Sequence, residues 1–326
     1  MNMKLYLQKF LLLTLLSFLT SCSEDFDLKS EFKQQYVLNC IINGDTTYQF
    51  ASISKTFDVE GYDPSVNEKD LTVRDAVINI FYNGNDYLLR DTIVLNTDGS
   101  ESFIYYTNSL QPESNKTLSI EAVMNDGTTL KSTTTTPKAG NLTFFPEDVV
   151  TDYSIGHNTE GQTLFWEITD PENNNALFLP SLKIIYYKEE SGIDIKKEKL
   201  VPLYYYNSVG GEVLPFYPIV TELNQITFNI SVLNQAMNEI SGEDTLKANY
   251  KIDSAIFELY ILDRNLAPYI LTSQSFNDGF TVLLDQLDYS NIEGGYGVFG
   301  SFFKKNLKIS FDVNYLESFG YVLYSP

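Results

Sequence analysis

Histidine and tryptophan each occur once and cysteine twice in 326 residues. With His157 as the sole imidazole there is no HExxH pair and no Cys/His cluster, which removes the usual zinc centres. Serine or cysteine catalysis would have to run through that one residue, in the polar loop Ser154-Ile155-Gly156-His157-Asn158, and an exposed loop histidine is the simpler reading. Positive charge is also scarce. The chain has 22 Lys+Arg against 43 Asp+Glu, a net charge of −21, so its field repels nucleic acid and anionic headgroups. No cofactor fingerprint stands out, and no residue is assigned to catalysis or to a metal.

Long apolar runs are missing as well, apart from Phe10–Leu19 near the start, interrupted by Thr14 and Ser17 and preceded by Lys4 and Lys9. About 20 apolar residues are needed to cross a bilayer. This run is half that length and ends on small residues, as a cleaved signal peptide does. Leu19-Thr20-Ser21-Cys22 follows at once and resembles the bacterial lipobox, in which a thiol takes a diacylglycerol. Residues 1–21 are therefore read as a signal peptide and 22–34 as a lipidated N-terminus and linker. Two or three acyl chains on Cys22 hold a protein to a lipid bilayer without spanning it. The acidic cluster Ser23-Glu24-Asp25-Phe26-Asp27 resembles a tag for export to the outer face of the outer membrane, which gives an expected address: outer membrane, lipid-anchored, cell-surface exposed. Cys40 then remains as the only free thiol, in the apolar stretch Tyr36–Ile42, where a buried structural cysteine is expected.

Short runs rich in Tyr, Phe, Val, Ile and Thr fill most of the rest, bounded by Gly, Asn, Asp or Pro, and predict strands. In the first half they cover residues 36–42, 47–54, 76–82, 86–89, 102–106, 117–124 and 129–135. Asn83-Gly84-Asn85, Asp98-Gly99 and Asn125-Asp126-Gly127 supply turns that tolerate positive φ. Seven strands in about 100 residues predict an immunoglobulin-like β-sandwich over 35–137. Two prolines and a glycine in 137–147 suggest a joint, followed by a second β-rich domain over 138–326. There the pattern predicts strands at 163–168, 178–187, 255–262 and 307–313, a charged hairpin end at 188–199, and helices at 231–240 and 265–275. The expected fold class is mainly β: two β-sandwich-like domains, the second with one or two short helices.

The early strand Tyr36–Gly44, the strand Val73–Ile80 and above all Tyr289-Ser290-Asn291-Ile292-Glu293-Gly294-Gly295-Tyr296-Gly297-Val298-Phe299-Gly300, together with the lipobox, resemble the Bacteroidota lipoprotein family catalogued as domain of unknown function 4249. Members of that family are often encoded beside TonB-dependent outer-membrane receptors, so the resemblance implies a partner of that kind. The glycine-rich segment itself contains no basic residue and lacks the strand-to-helix setting of a phosphate loop; its plain reading is a turn and bulge.

The most suggestive binding feature is Tyr204-Tyr205-Tyr206, followed by Phe216 and Tyr217 among prolines. Three consecutive tyrosines put a ring on each face of a strand, and rings with hydroxyls suit sugar stacking or a protein interface; filling a core is the alternative. Acidic loops at 98–101 and 170–175 could meet calcium, but neither has a 12-residue EF-hand pattern. Asp45-Thr46-Thr47, Asp91-Thr92-Ile93, Asp244-Thr245-Leu246 and Asp253-Ser254-Ala255 resemble the O-glycosylation acceptor of exported Bacteroidota proteins. Three functions compete: a non-enzymatic binding or accessory lipoprotein serving a TonB-dependent transporter, a carboxylate-dependent glycan hydrolase, and a structural envelope component. A facing pair of carboxylates in an aromatic-lined cleft would favour the hydrolase.

Overall fold

The computed structural model describes residues 32–57, 70–96, 99–146, 154–156, 160–168, 176–208, 210–275 and 289–325. Cys22, His157, Asp98 and the 170–175 turn lie outside the described residues. Gln35–Thr56 and Glu68–Pro326 belong to one compact unit.

Seven strands come first: β1 (Tyr36–Asn43), β2 (Gln49–Lys55), β3 (Val77–Tyr82), β4 (Asn85–Leu95), β5 (Glu101–Thr107), β6 (Thr117–Val123) and β7 (Thr129–Thr135). The alternation of β3 and β6, with every second residue buried, marks strands with one face in a core. β4 changes partner midway: residues 85–89 pair with β3, residues 90–95 with β5. It thereby turns the corner between two layers, β1, β2 and β5 on one side and β3, β6 and β7 on the other. Leu38, Cys40, Ile42, Ala51 and Ile53 from the first layer and Ile78, Ile80, Leu118, Ile120 and Leu130 from the second share one buried cluster. This is a mainly β, immunoglobulin-like sandwich.

The remaining strands are β8 (Leu142–Pro146), β9 (Ser154–Ile155), β10 (Gly161–Ile168), β11 (Leu177–Glu190), β12 (Ile193–Val201), β13 (Tyr204–Asn207), β14 (Val213–Phe216), β15 (Gln225–Asn229), β16 (Tyr250–Leu262), β17 (Tyr296–Phe311) and β18 (Val322–Leu323). Helices α1 (Ile230–Ser241), α2 (Leu266–Ser275) and α3 (Val313–Ser318) lie among them. A layer in the order β12-β11-β16-β17 and a three-stranded layer β15-β10-β8 contribute to a second buried cluster, joined by the apolar stripe of α1: Val232, Leu233, Ala236, Met237 and Ile240. Trp166 lies at its centre, edge-on to Phe178 at 5.5 Å and tilted against Phe257 at 5.8 Å. The few short helices among the described residues fit the expected class; the six residues of α3 are too few to show a helical period, and Val313, expected in a strand, opens it, with Asp312 capping it by accepting from the Tyr315 N–H at 3.0 Å. The charged 188–199 segment is the end of the β11–β12 hairpin, turned at Ser191-Gly192.

The glycine-rich segment is the largest correction. The expected turn is there, at Gly294-Gly295 with Gly294 at φ +84°, but the late strand expected at 307–313 already begins at Tyr296, as β17, which is 16 residues long. Its first half pairs in parallel with β1, Leu38 opposite Gly297, and its second half is antiparallel to β16. Phe299 enters the first cluster while Ile309 and Phe311 enter the second. The glycines permit the approach. A Cβ on Gly295 would lie 2.5 Å from the Tyr36 carbonyl oxygen, and one on Gly297, at φ +112°, 2.0 Å from that of Leu38. Only glycine fits both the dihedral and the space.

Candidate functional site

The aromatic segment forms its own two-stranded ribbon. Among the described residues β13 pairs only with β14, Tyr204 opposite Phe216 and Tyr206 opposite Leu214. Pro215 cannot donate to a ladder and so suits a strand with no further neighbour. Leu203 N–H donates to the Phe216 carbonyl at 2.7 Å, and Ser208 N–H to that of Glu212 at 2.7 Å, closing the turn over Gly211 at φ +80°. Alternation then sorts the tyrosines. Tyr204 stacks on Phe216, centroids 4.6 Å apart and planes within 12°, and is 45% exposed. Tyr205 points the other way and packs on the second core cluster. Its hydroxyl has no hydrogen-bond partner of good geometry among the described residues, and burial, followed by the charge of the nearby Glu239 carboxylate, pushes its proton affinity up. Tyr206 is half-buried and Tyr217 exposed. The five candidate residues therefore divide: Tyr204, Phe216 and Tyr217 present or support an outward surface, and Tyr205 serves the core. Val213, Ile219 and Leu223, all exposed, extend the apolar character of this stretch, which pattern reading did not single out.

A second cleft lies beside Tyr36, with Lys55, Asp70, Arg74, Asp75 and Asp126 around a cavity of about 570 Å³. Tyr36 donates to Asp126 at 2.7 Å, Arg74 to Asp70 at 2.9 Å, and Asn125 to Asp75. The Thr72 backbone N–H, then the Thr72 and Arg74 side chains, hold Asp70 down to about 2; the Thr128 N–H and Tyr36 lower Asp126. Both shifts run opposite to the one a glycosidase acid needs.

A third cleft, missed in the sequence, opens where β7 meets the start of α2. Asp263, 3% exposed, caps α2 by accepting from the Asn265 and Leu266 N–H groups at 2.9 and 2.7 Å. Its other oxygen accepts from Ser301 at 2.6 Å and Thr134 at 2.5 Å. Burial raises its proton affinity against those four donors. Asn265 donates to the Thr133 carbonyl at 3.1 Å and accepts from Tyr289 at 3.0 Å; Asn291 brackets Phe299, and Ser132 donates to the Asn291 carbonyl at 2.7 Å. The motif at 289–300 thus fastens β7 to β17. The helix expected at 265–275 is observed at Leu266–Ser275; its cap Asp263 was not singled out in the sequence.

Cys40 is buried, and burial pushes its thiol up to about 12. Ser254 is fully buried, so the Asp253-Ser254-Ala255 tripeptide is closed to modification. Among the described residues no group of three His, Cys, Asp or Glu could hold a metal ion, and no helix is long and apolar enough to cross a membrane.

Fold and surface together define a mainly β, two-sandwich protein carrying an exposed aromatic ribbon. The chain belongs to the family described as Domain of unknown function (DUF4249), which matches residues 23–306. Among solved structures it is similar to the crystal structure of the full ectodomain (Ig1–Ig3) of mouse nectin-like molecule 4, at 7% identity and a TM-score of 0.20, covering 85% of this chain and 64% of that one. No curated protein matches it.

Proposed function

We propose that this chain is a non-enzymatic binding or accessory lipoprotein of the Bacteroidota outer membrane, anchored through acylated Cys22, that docks on a TonB-dependent receptor. The observation that carries the binding role is the Tyr204–Phe216 stack, held outward on a ribbon that pairs with no other strand among the described residues. Stacked aromatics are rigid and amphipathic, and aromatic anchors dominate interface energetics at about 2 kcal/mol or more each. The lipobox and acidic leader support the address, and the family resemblance supports the choice of partner.

The test is purification of the native lipoprotein from detergent-solubilised outer membranes, with co-eluting proteins identified by mass spectrometry. Stoichiometric recovery of a TonB-dependent receptor is expected from the wild type, and at least tenfold less from the doubly substituted Tyr204→Ser, Phe216→Ser chain. Recovery of the lipoprotein alone from the wild type overturns the stable complex. Radiolabelled palmitate is expected on the wild type and absent from Cys22→Ser.

A further inference from the structure

β7 is the last strand in its sheet order. Lys131 both donates to and accepts from the backbone of Glu293, at 3.1 and 2.8 Å. Because alternate residues of an antiparallel strand turn their peptide groups to the same side, Thr133 and Thr135 also direct theirs to that outer edge, away from β6. The Thr133 carbonyl is taken by Asn265. The Thr133 N–H and the Thr135 N–H and carbonyl have no backbone partner among the described residues. They face a cavity of about 570 Å³ whose other wall is Ile261–Asn265, a volume inside the ~300–1,000 Å³ of ordinary ligand sites.

Two cationic side chains, Arg264 and Lys138, line this cavity in a chain of net charge −21. Arg264 is exposed and its guanidinium has no ion pair or hydrogen bond among the described residues. Arg74, by contrast, is engaged with Asp70 and Phe103. Asp263, the one carboxylate lining the cavity among the described residues, is turned into its four donors and buried. An unfilled strand edge with a fork-shaped cation across from it matches an extended backbone bearing a carboxylate, since edge addition supplies the main-chain pairing and arginine the bidentate contact.

We propose that the outer edge of β7 at Thr133–Thr135 binds an extended peptide segment by strand addition, with Arg264 receiving a carboxylate of that segment, either a C-terminus or an Asp or Glu side chain. This site is separate in sequence and layer from the Tyr204–Phe216 ribbon and does not depend on its role.

The test pans a random heptapeptide library with free C-termini on the full mature chain in detergent. Enriched peptides are then resynthesised as fluorescent probes for anisotropy titration. The expected result is enrichment of carboxylate-bearing peptides whose affinity falls at least tenfold with Arg264→Glu, is largely kept by Arg264→Lys, and falls at least tenfold when the pairing amides are N-methylated. Trp166 fluorescence reports that the variants stay folded, and Arg264 is exposed, so neither variant disturbs a core. C-terminal amidation and Asp→Asn or Glu→Gln replacement within the peptide then separate the two carboxylate sources. No enrichment above the bare support, enrichment without a carboxylate, or an affinity indifferent to Arg264→Glu or to N-methylation overturns the proposal.

Discussion

Replacing glycines by alanine measures how closely β17 is laid against β1, because three positions separate the two causes of cost. Gly127 has φ +84° with nothing within 4 Å of an added Cβ, so its cost is conformational only. A left-handed alanine is expected to lose about 1–2 kcal/mol there. Gly295 is the converse: its Cβ would meet the Tyr36 carbonyl oxygen at 2.5 Å with no positive φ to forbid the side chain. Overpacking against a backbone that must shift is expected to cost about 1–3 kcal/mol. Gly297 combines φ +112° with a contact of 2.0 Å on the Leu38 carbonyl oxygen. To reach even a tight contact the strands must part by about 1 Å, which weakens the dispersion and hydrogen bonding along the ladder. The expected loss is about 2–5 kcal/mol, a large share of the ~5–15 kcal/mol that holds a folded protein. Urea unfolding followed by circular dichroism gives the three values, with an unchanged slope confirming that the folded state is retained. Gly297→Ala must exceed both others. If it costs no more than Gly127→Ala, the parallel β1–β17 pairing is not the close approach described.

Tyr36 should titrate at about 12, from the hydrogen bond to Asp126 and then burial, against an ordinary tyrosine near 10. Its folded-state pKa is raised, so the stability it contributes is present below about pH 10 and lost as pH rises through about 12. Ultraviolet titration of Asp126→Asn should bring the value down, and an unchanged titration would dissociate the pair. Cys40 should be inert to a thiol reagent in the native state and react only on unfolding, because burial keeps it protonated; rapid native labelling would contradict its place in the core. The Tyr321 hydroxyl donates to the Met237 carbonyl at 2.7 Å and lies 3.0 Å from Ser241 Oγ, so Tyr321→Phe leaves buried acceptors at the end of α1 and should cost about 1–3 kcal/mol by thermal melting. A melting point within error of the wild type would count against that cap.

Local periodicity carried much of the fold. The strand from Thr129 to Thr135 matches its predicted range, and α1, observed at Ile230–Ser241, was visible in the spacing of Leu233, Met237 and Ile240. What pattern reading could not supply was partnership between distant segments. β17 buries five consecutive residues, Gly297–Ser301, and so offers no alternation, and its glycines look like breakers until Leu38 and Tyr36 are placed beside them. The same limit governs the candidate sites. The aromatic cluster was legible as composition, but which ring faces outward depended on pairing: Tyr204 stacks on Phe216 while Tyr205, one residue on, turns inward. The β7 cleft had no sequence signature, because it is formed by threonines and an arginine about 130 positions apart.

The pairing of β1 with β17 also sets an order of events during synthesis. A chain made from its N-terminus presents Leu38 long before Gly297, its partner. Until the residues from Tyr296 onward arrive, β1 keeps one edge open and the first core lacks Phe299. Pairings of such sequence separation form slowly, and an open edge is a template for unwanted strands. The first sandwich thus stays unfinished until the strand that closes it, more than 250 residues downstream of β1, has been made.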